Sequence, residues 1–174
     1  MISRFRRKRD PAAKLAGELK AYALALTRNA DAAEDLAQET LARIYEKPDS
    51  PQDSTMAKRY AFRTLRNLHI DNLRKQRIRR EYSAEQERLS NEGGNSAFDA
   101  VEQLIVRNAF EQLSPDHREI LFLVDVMGFK YDEAAETLGV AKGTVMSRVS
   151  RARAEMIRLL NETSVRPLKH RRNN

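Results

Sequence analysis

The stretch "GTVMSRVSRARAEM", residues 143–156, sets Arg148, Arg151 and Arg153 within about two helical turns, separated by small or apolar residues. A second basic run, "RTLRNLHIDNLRKQRIRR", residues 63–80, carries Arg63, Arg66, Arg74, Lys75, Arg77, Arg79 and Arg80 around Asn67, Leu68, His69 and Asp71. Guanidinium groups in such rows suit phosphate, and a nucleic-acid backbone supplies phosphate in rows. Asn67 adds a different capacity. Its amide both donates and accepts hydrogen bonds, and each cation adds roughly one unit of salt slope if it engages a phosphate. Bond-breaking chemistry has no comparable support. The chain has no cysteine, which removes disulfides, thiolate metal sites and thiol nucleophiles. Its three histidines, His69, His117 and His170, lie far apart in sequence, and no glycine-rich phosphate loop is present. No catalytic residue, metal site, cofactor or small-molecule substrate is therefore expected, and the chain reads as not an enzyme.

The elements that must carry these residues are helices. At 174 residues the chain can form one medium domain or two small ones. Few aromatics, 6 Gly and 5 Pro favour an all-α fold over a β sandwich. Lys+Arg at 32 against Asp+Glu at 25 give a formal charge of +7, which points to polyanionic partners. No apolar run approaches the ~20 residues of a membrane helix, so no membrane insertion is expected. The basic start, "MISRFRRKRD", reads as a cationic arm and not a signal peptide, with the cytoplasm as the default location.

Three segments form the first block, residues 11–81. Leu15, Leu19, Tyr22 and Leu26 recur at helical spacing. In the next segment Asp31 is the expected N-cap with Glu34 in a capping-box variant, ahead of an apolar face of Ala33, Leu36, Ala37, Thr40, Leu41 and Ile44. The third runs from Met56 to about Arg80, with Tyr60, Phe62, Leu65, Leu68 and Leu73 as its apolar members. Residues 82–97 change character to acidic, Ser- and Gly-containing, and read as a flexible linker. The second block, residues 98–163, opens on a stripe of Val101, Leu104, Ile105, Ala109 and Leu113. Ser114 and Pro115 then start a helix that Gly128 ends. No internal repeat and no strand pattern of any length is visible.

"YDEAAETLGVAKGTVMSRV", residues 131–149, has the spacing of a helix-turn-helix. Ala135 lets two helices approach, Gly139 supplies a turn residue at positive φ, and Val145 and Val149 bury the second helix against the first. Lys142, Thr144, Met146, Ser147, Arg148 and Arg151 are left for its outer face and flanks, where a helix can enter a major groove; Arg153 is a candidate for holding the helix pair.

Beyond these readings the sequence resembles a family. "LSPDHREILFLVDVMGFKYDEAAETLGVAKGTVMSRVSRARAEMIRLL" is similar to region four of the extracytoplasmic-function sigma factors, while "ADAAEDLAQETLARIY" and "YAFRTLRNLHIDNLRKQRIRR" resemble their region two. The resemblance covers most of the chain, with the motifs in order. It implies two helical domains that bind core RNA polymerase and direct promoter-specific initiation. Asp35, Gln38 and Glu39 would face polymerase, with Leu41 and Arg43 adjacent, although spacing alone makes this an ordinary solvated helix face. Tyr60, Arg63, Arg66, Asn67, His69, Asp71, Arg74, Lys75 and Arg77 would take the melted minus-ten element. Lys142, Thr144, Met146, Ser147, Arg148 and Arg151 would read the minus-thirty-five element. Two departures stand out. Tyr60 replaces a common Trp, and Met146 replaces a common Lys or Arg and either meets a thymine methyl or packs.

The resemblance also implies an anti-sigma factor as inhibitor, and a linker that either mimics RNA in the polymerase exit path or serves as a tether. The basic arm and the tail "KHRR" add either DNA attraction or solubility. The alternatives are a helix-turn-helix regulator acting without polymerase, which leaves the first block unexplained, and a sigma-like decoy for an anti-sigma factor, which has no use for so many arginines.

Overall fold

The computed structural model describes residues 11–46, 54–82 and 99–164. Its helices are α1 (Pro11–Thr27), α2 (Ala30–Tyr45), α3 (Ser54–Tyr82), α4 (Asp99–Gln112), α5 (Pro115–Leu121, continued by a π-helical turn over Phe122–Val126), α6 (Tyr131–Leu138) and α7 (Lys142–Ser164). No strand occurs among the described residues. The chain divides into two compact units, the first built on α1–α3 and the second on α4, α5, the opening turns of α6, and α7. The basic arm, the tail and the acidic linker, apart from Tyr82 at the end of α3, lie outside the described residues.

In the first unit each helix packs on the other two. Leu19, Tyr22 and Ala23 of α1 meet Ala33, Leu36 and Ala37 of α2 and Ala61, Phe62, Leu65 and Leu68 of α3 in one buried core. The Tyr22 and Phe62 rings stack with centroids 4.9 Å apart. Thr40, buried among apolar groups, satisfies its hydroxyl by donating to the Leu36 carbonyl at 2.7 Å. Leu73, expected with the core, is 51% exposed, because α3 runs on past the last turn that α1 and α2 can cover.

The N-cap of α2 differs from expectation. It is Asn29, whose side chain accepts from the Ala32 N–H at 2.8 Å, and Asp31 lies inside the first turn. Arg28 adopts φ 56°, which ends α1 early and leaves Asn29 extended at the cap position. Asp31 then serves the positive end of the helix dipole. Glu34, freed from capping, pairs with Lys20 across the α1–α2 interface; this bond, and then one from Gln38, holds its carboxyl below the usual value.

In the second unit the Ser114 hydroxyl accepts from the His117 N–H, with Pro115 at the first helical position. Arg118 is buried and donates to the carbonyls of Glu111 (3.3 Å) and Leu113 (3.1 Å), which closes the end of α4. The four successive residues Ile120, Leu121, Phe122 and Leu123 are all buried, so this helix is central to the unit. Sequence spacing predicts one regular helix to Gly128, but the last turn is π-helical. The wider turn moves its closure by one residue: the Phe129 N–H reaches back to Leu123, past Val124, with Gly128 at φ 72°. Leu104, expected on the buried stripe of α4, is 43% exposed, while Ala109 and Leu113 are buried.

Gly139 ends α6 at φ 67°, with its own N–H on Glu136 and the Val140 N–H on Ala135, a Schellman closure. Val145, Val149 and Ala152 of α7 are buried, as the helix-turn-helix spacing requires. A Cβ at Gly139 would meet nothing within 4 Å. Gly139→Ala is therefore expected to destabilise the α6–α7 turn by about 1 kcal/mol, the backbone cost alone, read as a lowered urea midpoint at unchanged slope.

Candidate nucleic-acid interface

The three expected site groups fall on described helices, and each is rearranged by its surroundings. On α2, Asp35, Gln38 and Glu39 share an exposed stripe, set by three- and four-residue spacing. Gln38 donates to Glu34 at 3.0 Å. Leu41 is turned half into the core and leaves this stripe. Arg43 pairs with Glu39 at 2.7 Å but also lines a cavity at the end of the helix.

That cavity, of about 670 Å³, lies between the last turn of α2 and the middle of α3. Tyr60, Arg63, Asn67 and Asp71 line it from α3, as their three- and four-residue spacing dictates, together with Thr64 and the buried Leu68. Glu46 joins Arg43 on the α2 side. Thr64 donates to the Tyr60 carbonyl at 2.9 Å, so its hydroxyl is turned to the backbone. Sequence spacing finds the α3 wall but misses Glu46, because no periodicity on α3 can report what another helix brings opposite.

The remaining α3 residues of the expected group do not line this cavity. Arg66 and His69 are half-buried on another face of the helix, Lys75 and Arg77 are exposed further along it, and Arg74 pairs with Asp71 at 3.5 Å. Burial, and then the charge of Arg66, pushes the His69 imidazole below its ordinary pKa. The folded chain thus resists a proton that the unfolded chain accepts near pH 6.5. His69 contributes stability that is complete above that pH and is lost as the pH falls through the window beneath it. Between pH 7.5 and 5.5 the thermal midpoint is expected to fall more for the native chain than for His69→Gln. Equal slopes would refute the assignment.

In the second unit the six expected residues occupy the first turns of α7. Ala141, which precedes it, has no side-chain oxygen to cap the helix; its carbonyl accepts from the N–H groups of Thr144 and Val145. The leading N–H groups therefore lack a side-chain cap from that residue, a local surplus of positive potential. Lys142 bridges to Asp132 at 2.8 Å and Arg148 to Asp116 at 3.3 Å. Ser147 donates to the Thr144 carbonyl, and Arg151 donates to the Ser147 carbonyl at 3.3 Å. Met146 is 51% exposed, so it does not serve the core of its unit. Arg153 stands apart from these. It forms a two-pronged ion pair with Asp125 at 2.6 and 3.2 Å, which ties α7 to the π-helical turn and raises its own pKa.

Comparison with known proteins places both units. Residues 12–79 match Sigma-70 region 2 and residues 103–156 match Sigma-70, region 4. The chain is similar to the ECF RNA polymerase sigma factor EcfG of Rhodopseudomonas palustris (strain TIE-1), 38% identical over 154 residues that cover 87% of this chain and 84% of that one. It is also similar to the ECF RNA polymerase sigma factor SigL of Mycobacterium tuberculosis, 34% identical over 150 residues, 83% of each chain. Among solved structures it is similar to the sigma factor RpoE in complex with the anti-sigma factor NepR from Bartonella quintana. There the TM-score is 0.75 at 33% identity, with 85% of this chain and 92% of that one covered.

Proposed function

Because the chain belongs to the extracytoplasmic-function RNA polymerase sigma factors, we propose that each face just described performs one step in promoter-directed initiation. The exposed stripe of Asp35, Gln38 and Glu39 on α2 docks on core RNA polymerase, where a mixed polar and acidic surface steers and registers a basic partner. The α3 cavity holds a base of the melted minus-ten element, with Asn67 at its wall. Arg66, Arg74, Lys75 and Arg77 follow the strand on its phosphate side. The opening turns of α7 read the minus-thirty-five duplex through Lys142, Thr144, Met146, Ser147, Arg148 and Arg151. An anti-sigma factor, of the kind that the Bartonella relative binds, holds the chain inactive. Sigma factors perform no chemistry of their own, so no residue is assigned a catalytic role. None of the helices among the described residues is long and apolar enough to cross a membrane.

One observation carries this reading: Tyr60, Arg63, Asn67 and Asp71, four of the nine residues expected at the minus-ten element, line one cavity together with Leu68. The test is run-off transcription by core polymerase loaded with this chain on a library randomised across the promoter. Enrichment of one bipartite sequence is expected. A library that emerges unselected would overturn the assignment.

Met146 provides a finer check on α7. An exposed apolar side chain there contributes no phosphate contact. Met146→Lys is expected to add about one unit to the salt slope of holoenzyme binding to the selected promoter, and to tighten binding most at low salt. An unchanged slope would place residue 146 away from the backbone.

A further inference from the structure

Around the α3 cavity the polar side chains are unequally satisfied. Arg43 is held by Glu39, Asp71 by Arg74, and Thr64 by the Tyr60 carbonyl. Glu46, Arg63 and Asn67 line the same space, and their side chains make no hydrogen bond or ion pair among the described residues. One is a pure acceptor, one a pure donor, and one an amide that does both. At about 670 Å³ the space falls within the ~300–1,000 Å³ typical of small-ligand sites, and Leu68 with Tyr60 gives it an apolar wall. A hydrophobic wall with convergent, uncommitted polar groups is arranged for a flat heterocycle read along its edge.

Resting on the reading that this cavity receives a promoter base, we infer that Glu46, at the end of α2, sets which base is admitted: one that carries an exocyclic amine. A carboxylate can only accept, so it rewards an amino group and repels a carbonyl oxygen. Thymine offers two carbonyls flanking one N–H and has no amine; adenine, cytosine and guanine each have one. Arg63 donates to an acceptor on the same base or to its phosphate, and Asn67 accommodates whichever group remains. The selecting residue thus caps the polymerase-docking helix, about two turns beyond Glu39, and Arg43 between them pairs with Glu39 and lines the cavity.

The experiment uses holoenzyme on the promoter selected from the randomised library. Wild-type protein should disfavour thymine at one minus-ten position by about tenfold or more, and Glu46→Gln, whose amide can donate to a carbonyl, should lose most of that preference. A second arm replaces the selected base by its analogue lacking only the amine: purine for adenine, pyrimidin-2-one for cytosine, inosine for guanine. Wild type should open this template about tenfold less well, and Glu46→Gln should open both equally. Affinity for core polymerase is measured alongside. Full thymine discrimination in Glu46→Gln, or weakened core binding with base preference intact, overturns the inference while leaving the sigma assignment standing. Failure of the wild type to select any sequence defeats the sigma assignment itself.

Discussion

Phe62→Ala should lower the stability of the first unit by about 3–5 kcal/mol, the range for emptying a fully buried aromatic site. Phe62 has no exposed surface, its ring stacks on Tyr22 at 4.9 Å, and Lys58 caps it with the ammonium 5.7 Å from the ring centre while pairing with Glu18 at 3.0 Å. All three helices converge on that spot, so no single side chain can collapse into the space. The size matters because a domain of this length commands only about 5–10 kcal/mol in total. The consequence reaches function without touching a functional group. Phe62 fixes the rotation of α3 in the core, and that rotation presents Arg63 and Asn67 to the cavity on the opposite side. Urea unfolding followed by far-UV circular dichroism should show the early part of the transition moving to lower denaturant. Promoter opening should fail near the new midpoint although every proposed DNA contact is intact. A loss below about 1 kcal/mol would mean that the three-helix core is assembled differently.

How much of this could be read from the sequence depends on whether the determinant is local. Ser114 with Pro115, Gly128, and the Gly139–Val145–Val149 spacing are local rules of capping and turn geometry, and the structure places each as those rules require. The all-α fold follows equally from spacing, because a helix with an apolar stripe has few other ways to bury it. Leu73 and Leu104 mark where periodicity stops helping: both sit in register with a buried stripe, yet the fold leaves each of them exposed. Asp31 and Asn29 are near-equal cap formers, and the choice between them was made by Arg28 turning left-handed, which residue type alone does not disclose. The π-helical turn after Leu121 leaves no sequence signal that hydrophobic spacing can detect. At the candidate site the same boundary holds. Tyr60, Arg63, Asn67 and Asp71 share a face by arithmetic, whereas Glu46 and Arg43 enter the cavity through the packing of α2 on α3. A sequence motif names one wall of such a site, and the opposite wall is a tertiary fact.

The second large effect belongs to Arg118, a charged side chain with 4% of its surface exposed. Its guanidinium donates to the carbonyls of Glu111, in the last turn of α4, and of Leu113, just past its end, and so acts as a helix cap supplied by the next helix. Arg118→Met preserves length and apolar stem but leaves the buried Leu113 bond unmade, at about 1–3 kcal/mol, and the part-buried Glu111 bond at somewhat less. The second unit should lose about 3 kcal/mol. Both bonds come from one nitrogen, Nη1, and an ammonium can likewise donate to two carbonyls, so Arg118→Lys should recover part of this, limited by its shorter reach. The junction of α4 and α5 sets how α5 meets α7, and both α4 and α5 pack on α7. The methionine variant should therefore also weaken recognition of the upstream promoter element at temperatures where the native chain still binds, while single-strand capture by the first unit continues. Unfolding curves and binding to templates with and without the upstream element separate the two consequences. Equal loss on both templates would show that the two units do not unfold independently.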